Sequence, residues 1–194
     1  MRRTAATTAT ALTIVLTTAV AATLLDAPAL AALKPGATAP GFTARASLGG
    51  KEFDFSLSDA LKKGPVVLYF YPAAFTPGCS IEAREFAEAT DKFAALGASV
   101  IGVSADDIDV LAKFSVSECR SKFPVAADAA KDIMAAYDAV LPGKPEYANR
   151  TSYVIAPDGL VIYEYTALDP AGHVENTLAA VQRWKAEQKV RNGG

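Results

Sequence analysis

The chain has 194 residues, of which 51% are hydrophobic and 21% charged, and its formal net charge is −2 at neutral pH. No basic stripe or block of like charge is present, which excludes a nucleic-acid-binding protein that relies on a basic surface. The aliphatic and aromatic residues after Leu33 are ample for a hydrophobic core, which excludes a disordered chain. We therefore predict one soluble globular domain without a nucleic-acid partner.

The N-terminus has the pattern of a secretory signal peptide. Arg2 and Arg3 form a short positive region, and an uncharged run rich in Ala, Thr, Leu and Val extends from Thr10 to Leu25. Ala29-Leu30-Ala31 then provides a cleavage site with small residues at its first and third positions.

A membrane anchor is the alternative interpretation of this segment. A spanning helix needs about 20 mostly apolar residues. Here the apolar run is shorter, is interrupted by threonines, and ends at Asp26. We therefore predict a signal peptide over residues 1–31, with no stable membrane insertion after its cleavage. Residues 32–194 would form the mature domain, exported to the periplasm or secreted.

The first half of the mature domain predicts a β-α-β unit. Residues Leu33 to Phe55 look like an N-terminal extension that forms a small hairpin around Gly49-Gly50. Val66 to Tyr71 and Ser99 to Val103 are apolar runs typical of strands buried on both faces. Apolar residues recur at helical spacing between them, at Phe86, Phe93 and Leu96, together with Thr90, and Gly97 ends the helix. A helical crossover of this kind joins parallel strands.

The second half adds further helices and a hairpin. Asp107 to Glu118 and Ala130 to Tyr137 are predicted helices, and the runs on either side of Pro157-Asp158-Gly159 predict a β-hairpin. A final amphipathic helix carries its apolar residues at Val174, Leu178, Val181 and Trp184. The pattern predicts a single α/β domain with a central sheet flanked by helices.

Cys79 is the candidate reactive residue. It follows the first buried strand and a turn rich in Pro and Gly, at the start of the predicted helix, where free backbone N–H groups favour an anion such as a thiolate. A helix terminus contributes only about 0.3–1 kcal/mol, so another cation is needed, with the Thr76 hydroxyl as a further donor to sulfur. Glu82, one turn into the helix, adds opposing negative charge and increases the need for an arginine.

The spacing Pro72-x-x-x-Thr76-x-x-Cys79 resembles the signature of the peroxiredoxins, which are thiol peroxidases of thioredoxin-like fold. The flanking residues are similar to the Q-type, bacterioferritin-comigratory branch of this family. The resemblance extends from about Leu33 to Trp184. It includes three later segments: Gly102 to Asp106, Phe123 to Asp128 and Arg150 to Gly159. It implies a thioredoxin-like domain with a mixed sheet.

The resemblance implies a role for each matching residue. Cys79 falls at the peroxidatic cysteine, whose thiolate attacks a peroxide oxygen and becomes a sulfenic acid. Thr76 falls at the hydroxyl that contacts the peroxide, and Pro72 at the proline that shields the thiolate. Arg150 falls at the arginine that holds both the thiolate and the peroxide, and a guanidinium keeps its charge at working pH.

The same resemblance implies the partners of the reaction. The substrates would be hydrogen peroxide and organic hydroperoxides, and a thioredoxin-like protein or another thiol would supply the reducing electrons. No metal or organic cofactor is expected, since the sulfur itself carries the two electrons. We expect a monomer or a weak dimer.

Cys119 is the second cysteine of the chain. Many Q-type members carry a resolving cysteine about one turn after the first, but Arg84 occupies that position here. In other members the resolving cysteine lies on the next helix, which favours a Cys79–Cys119 disulfide. Two alternatives are a one-cysteine enzyme that depends on an outside thiol, and a purely structural disulfide in an exported protein.

Other functions remain as alternatives at this point. His173, the only histidine, predicts either a helix-start residue or the base of a cysteine hydrolase or acyltransferase that uses Cys79. A protein disulfide oxidoreductase is less favoured, because that class normally uses Cys-x-x-Cys. A non-catalytic exported binding domain has no feature in its favour.

Two further clusters have structural and functional interpretations. The aspartates 106, 107 and 109 fit helix capping better than a metal site. Tyr147 and Asn149 either orient the guanidinium of Arg150 or form a plain turn before the next strand.

Overall fold

The computed structural model describes residues 32–193, so the predicted signal peptide lies outside the described part of the chain. A seven-stranded mixed sheet forms the centre, in the spatial order β2-β1-β5-β4-β3-β6-β7. Its strands are β1 Thr43–Leu48, β2 Lys51–Ser56, β3 Val66–Phe70, β4 Ser99–Ser104, β5 Val125–Ala127, β6 Thr151–Ile155 and β7 Val161–Thr166. Its helices are α1 Leu57–Leu61, α2 Pro77–Ala95, α3 Ile108–Ser117, α4 Asp132–Ala136 and α5 His173–Asn192.

The predicted β-α-β unit is confirmed. Strand β3 pairs in parallel with β4, with Val66 opposite Ser99, and α2 connects the two strands. The helix starts at Pro77, slightly before the predicted start, because proline fits the first turn, where no N–H donor is needed. Gly97, with φ of 79°, follows the helix as predicted.

The N-terminal hairpin is confirmed, but it is part of the main sheet instead of a separate extension. Strands β1 and β2 are antiparallel around Gly49-Gly50, and β1 also pairs with β5 through Ala46 and Ala126. The three residues of β5 are too few to give a periodic signal, so this strand is not predicted from the sequence. Helix α1 is not predicted either, because it has only five residues.

Two apolar cores lie on the two faces of the sheet, because successive residues of β3 point to opposite faces. Val66, Leu68 and Phe70 pack with α1 and α4. Val67, Tyr69 and Tyr71 pack with α2, α3 and α5, and both cysteines belong to this second core.

The remaining predicted elements are present with small changes at their ends. Helix α3 has Asp107 and Glu118 as its caps, and β6 and β7 form the predicted antiparallel hairpin. Helix α4 is shorter than predicted because Lys131, at φ of 64°, is left-handed and interrupts the helical backbone. Between residues 32 and 193, no helix is long and apolar enough to cross a membrane.

Candidate active site

Cys79 lies at the start of α2, directly beyond the carboxyl end of the central strand β3. The loop that joins them contains Pro72 and reaches the helix through Thr76, whose backbone is extended at the N-cap position, and Pro77 is the first helical residue. Only 1% of the Cys79 side chain is exposed. The sequence therefore places a nearly buried sulfur in the first turn of a long helix, where the backbone N–H groups face it.

The loop before Thr76 is held in a strained conformation. Phe75 has a φ of 62°, which is rare for an aromatic residue, and its ring packs edge-on against Phe114 at a centroid distance of 5.3 Å. Asp106, two residues after the end of β4, accepts hydrogen bonds from the backbone N–H of Ala74 at 2.7 Å and from the Ser104 hydroxyl at 2.8 Å. Helix capping is the role predicted for the aspartates 106, 107 and 109. Asp106 instead anchors the loop.

Arg150 is the cation of the site and bridges three elements of the fold. It lies just before β6, is 4% exposed, and donates through Nη2 to the sulfur of Cys79 at 3.4 Å. Its Nε donates to the carbonyl of Leu168 at 2.9 Å, and its Nη1 binds the carboxylate of Glu82. Burial alone lowers the pKa of Arg150, but Glu82 and Cys79 raise it above its ordinary value.

Gly78 leaves room for this contact. A Cβ atom at position 78 would lie 3.1 Å from Nη2 of Arg150, closer than ordinary van der Waals contact. The absence of a side chain therefore lets the guanidinium reach the sulfur.

Glu82 is fully buried and shares Arg150 with Cys79. It lies one helical turn after Cys79 on the same face of α2, so the sequence indicates a negative charge near the sulfur but not its bond to Arg150. Burial raises the pKa of Glu82 to about 8, although the charge of Arg150 opposes this rise. One carboxylate oxygen, Oε1, has no hydrogen-bond partner among residues 32–193.

His173 is the first residue of α5, as the sequence predicts, but its ring is fully buried. Its Nδ1 lies 2.8 Å from the Ser152 hydroxyl and 3.6 Å from Oε1 of Glu82, and its Nε2 lies 2.9 Å from the carbonyl of Ala167. Burial lowers the pKa of His173 to about 4, so the ring is neutral at working pH. The hydrogen bonds of the described chain do not join His173 to Cys79, and the arrangement of a cysteine hydrolase is absent from it.

Thr76 and Pro72 lie in the loop that joins β3 to α2, the helix of Cys79. The Thr76 hydroxyl donates to the carbonyl of Ala73 at 2.9 Å, so the expected donation to sulfur is wrong for this conformation. Its oxygen lone pairs remain free to accept a hydrogen bond. Pro72 is half-buried, two residues after the end of the central strand β3.

Cys119 follows the end of α3 and is fully buried. It is a free thiol, as is Cys79, and burial raises its pKa well above the ordinary value. Arg120 and Ser121 come next with φ of 49° and 55°, two successive left-handed residues without glycine. The predicted disulfide with Cys79 is therefore not formed in this conformation, and it remains a prediction.

Three ion pairs fasten this segment to α2. They are Arg84–Glu118 at 2.7 Å, Glu88–Arg120 at 3.0 Å and Asp91–Lys122 at 3.7 Å. We call these three pairs the charge ladder. Arg84 is thus one of its members.

The remaining candidate residues have structural positions. Asn149 donates its backbone N–H to the carbonyl of Ala139 at 2.7 Å, and Ala148 forms an isolated bridge with Val140. These contacts fit the interpretation of residues 147–149 as a plain turn before β6. Within residues 32–193, no group of three or more His, Cys, Asp or Glu side chains could hold a metal ion.

Comparison with known proteins gives the same family. Residues 35–164 match the model of the AhpC/TSA family. A putative peroxiredoxin of Mycobacterium tuberculosis is 41% identical over 129 residues, which cover 65% of this chain and 83% of that protein. The chloroplastic peroxiredoxin Q of Oryza sativa subsp. japonica is 34% identical over 148 residues, covering 76% of this chain and 66% of that protein.

A solved structure is similar as well. The crystal structure of the peroxidoxin BcpB from Mycobacterium tuberculosis superposes with a TM-score of 0.70 at 33% identity, covering 78% of this chain and 97% of that one. The thioredoxin-like fold and the predicted family are therefore confirmed. The chain belongs to the AhpC/TSA family and is a thiol-dependent peroxidase of the peroxiredoxin type, similar to its Q and Bcp members.

Proposed function

We propose that Cys79 is the peroxidatic residue of this enzyme and that Arg150 activates it. The observation that carries the proposal is the 3.4 Å contact between Nη2 of Arg150 and the Cys79 sulfur at the start of α2. A fixed cation and a helix N-terminus on one nearly buried sulfur stabilise the thiolate. The thiolate is the form that attacks a peroxide.

In the first step the Cys79 thiolate attacks the terminal oxygen of the hydroperoxide. The S–O bond forms as the O–O bond breaks, the sulfur is oxidised to a sulfenic acid, and the leaving alkoxide or hydroxide takes a proton. Arg150 remains beside the sulfur and can also donate to the peroxide oxygens, where negative charge develops.

Thr76 orients the peroxide in this proposal. Because its hydroxyl hydrogen is given to the carbonyl of Ala73, its oxygen keeps lone pairs that can accept a hydrogen bond. A hydroperoxide has one O–H donor, and Thr76 can accept it. Pro72, half-buried in the same loop, shields the sulfur from bulk water without offering an N–H donor of its own.

Cys119 is the proposed resolving cysteine. Its thiol would attack the sulfenic sulfur of Cys79, release water and form a disulfide. Both sulfurs lie in the same apolar core, but Cys119 is held buried by the charge ladder and by the end of α3. The segment from Glu118 to Lys122 must therefore leave α2 before resolution. A thioredoxin-like protein would then reduce the disulfide.

The mouth of the site favours organic hydroperoxides in addition to hydrogen peroxide. Phe75, Ile81 and Leu168 are 48%, 48% and 62% exposed, which is high for large apolar side chains. Phe75 precedes Thr76, Ile81 follows Cys79 by two residues, and the carbonyl of Leu168 binds Arg150. We propose that these three residues, which we call the apolar rim, contact the organic group of a substrate.

Export remains part of the proposal and rests on the sequence of residues 1–31. An exported enzyme of this kind would receive electrons from a thiol donor of the same compartment, because a cytosolic thiol pool does not reach it. Monomeric or weakly dimeric behaviour is the corresponding proposal for its assembly. The N-terminal sequence of the protein recovered from cell fractions tests the cleavage site, and sedimentation tests the assembly.

Mass spectrometry tests the proposed chemistry directly. After one equivalent of hydrogen peroxide, the wild-type protein should lose two hydrogens as a Cys79–Cys119 bridge. The Cys119→Ser variant should instead accumulate sulfenic acid on Cys79, trapped by dimedone, and Cys79→Ser should do neither. If Cys79 remains a thiol in the wild type on the timescale of seconds, the assignment of Cys79 is refuted.

A further inference from the structure

Glu82 has an oxygen atom that the proposed reaction does not use. One oxygen of its carboxylate binds Arg150, while Oε1 is buried without a hydrogen-bond partner among the residues described. Oε1 faces Nδ1 of His173 at 3.6 Å, and both side chains are fully buried. An ionised carboxylate oxygen in such a place is costly, and its position requires an explanation.

The hydrogen bonds of His173 define what Oε1 faces. The carbonyl of Ala167 only accepts, so the Nε2 atom of His173 must carry a hydrogen. In the neutral ring Nδ1 then holds a lone pair, which accepts from the Ser152 hydroxyl at 2.8 Å. Oε1 therefore faces an acceptor, and the two atoms can only attract each other if a proton lies between them.

The charges of the buried site also require a proton on Glu82 or His173. Arg150 supplies one positive charge, and it is the only cation that binds Cys79 or Glu82 within residues 32–193. A thiolate on Cys79 and a carboxylate on Glu82 would together carry two negative charges, one more than Arg150 can neutralise. The other charged groups near the pair are Glu85 on α2 and Asp169 before α5, and both are acidic. The Tyr165 ring of β7 packs edge-on against His173 at 4.8 Å and adds no charge at neutral pH.

Glu82 binds this proton more tightly than His173 does. Burial raises the pKa of Glu82 to about 8 and lowers the pKa of His173 to about 4. At neutral pH a shared proton therefore resides on Glu82, with His173 as its acceptor.

We propose that Glu82 and His173 form a buried proton-holding pair, in which Glu82 keeps a proton while Cys79 is a thiolate and releases it when the sulfur is oxidised. The inference rests on the proposed role of Cys79. The thiolate, the hydroperoxide and the protonated Glu82 give the sulfenic acid, the alcohol or water, and the ionised Glu82. The proton thus balances the leaving oxygen, and no other reactant is needed.

A change in the charge beside Arg150 explains why Glu82 releases its proton. The thiolate is the one anionic partner of Arg150 while Glu82 is protonated, and Arg150 loses this partner when Cys79 becomes a neutral sulfenic acid. Ionised Glu82 then becomes the partner that neutralises Arg150. Glu82 acts on the sulfur through Arg150 and is a positioning residue, with His173 as the support of its protonated form.

Infrared difference spectroscopy tests the pair. The Cys119→Ser protein is measured at neutral pH before and after one equivalent of hydrogen peroxide, so that oxidation ends at Cys79. We expect loss of one carboxylic acid carbonyl band and gain of one carboxylate band. Both changes should vanish in Glu82→Gln and persist in Glu85→Gln, the control on the same helix. Dimedone trapping on the same samples verifies that sulfenic acid forms.

Two variants test the part of His173. Ser152→Ala removes the competing donor to Nδ1, so the acid band should move to lower frequency as the Glu82 hydrogen bond strengthens. His173→Asn retains an acceptor and should retain the band, whereas His173→Leu should shift it to higher frequency or abolish it. A spectrum without a carboxylic acid band in a sample that forms sulfenic acid overturns the pair, and so does a band that Ser152→Ala leaves in place. Failure to form sulfenic acid overturns the role of Cys79 instead.

Discussion

The contact between Arg150 and Cys79 can be weakened in graded steps. Gly78→Ala places a Cβ atom 3.1 Å from Nη2 and should push the guanidinium back by a few tenths of an ångström. Arg150→Lys keeps the charge but cannot reach all three partners of the guanidinium, and Arg150→Met removes the charge entirely.

The expected magnitudes follow from the geometry. Two unit charges 3.4 Å apart attract each other by roughly 5 kcal/mol at an effective dielectric constant of ~20. Lengthening this distance by about half an ångström removes about 0.6 kcal/mol, or a factor of about three in rate. Loss of the charged hydrogen bond costs about 1.5–3 kcal/mol, which predicts a rate lower by roughly one to two orders of magnitude in Arg150→Met. The rate of Arg150→Lys should lie between the rates of Gly78→Ala and Arg150→Met.

The assay is the second-order rate of Cys79 oxidation by hydrogen peroxide in the Cys119→Ser background, followed by rapid acid quench and intact mass. Arg45→Met is the matched control, because Arg45 is an exposed residue of β1 that pairs with Glu52 and Asp54. Thermal melts must accompany the rates, since Arg150→Met leaves Glu82 buried without its cation. Folded Arg150→Met that reacts within a factor of about two of wild type refutes Arg150 as the activating cation.

Two further predictions concern resolution and substrate choice. Arg84→Ala opens one pair of the charge ladder, and an ion pair of this exposure contributes about 0.2–1 kcal/mol, so Cys79–Cys119 disulfide formation should accelerate up to about fivefold. Added salt should accelerate the wild type and have less effect on the variant, as alkylation and intact mass would show; a slower variant contradicts the clamping role. Replacing Phe75 and Leu168 of the apolar rim by Ser should lower kcat/KM for cumene hydroperoxide by several-fold more than for hydrogen peroxide. Equal losses on both substrates would remove the rim from the recognition of the organic group.

The sequence was sufficient for the elements with a strong periodic signal. The buried runs of β3 and β4, the long helix between them and Gly97 at its end all agree with the structure. Cys79 and Arg150 could be paired because the resemblance assigned both, although they come from distant parts of the chain. Their contact at 3.4 Å agrees with that assignment.

The contacts missed by the sequence analysis depend on tertiary packing. Asp106 anchors the backbone of Ala74 across the ends of two strands, and neither residue carries a local signal for this bond. From the sequence alone Glu82 is an unfavourable charge near sulfur, since its burial depends on the bond to Arg150, just before β6, and on α5 packing against α2. The Thr76 hydroxyl binds a carbonyl three residues earlier, a local bond that competes with donation to sulfur.

The buried acid should also appear in the pH dependence of stability. Glu82 has its folded pKa raised from 4.5 to about 8, so the folded state holds this proton more tightly than the unfolded state. Its contribution to stability is complete below about pH 4.5 and is lost as the pH rises toward 8, with a slope of up to roughly 1.4 kcal/mol per pH unit.

The contribution of His173 to stability changes with pH in the opposite direction, because its pKa falls from 6.5 to about 4 on folding. This contribution is lost as the pH falls through this range. The difference in unfolding free energy between wild type and Glu82→Gln isolates the first effect, since His173 is common to both proteins. The amide introduced by Glu82→Gln cannot ionise, so the variant should gain stability relative to wild type as the pH rises from about 4.5 to 8. Urea unfolding across this range measures the difference, with Glu85→Gln as the control. A difference that does not change with pH would mean that Glu82 is ionised throughout, and the buried site would then have to hold two anions against one arginine.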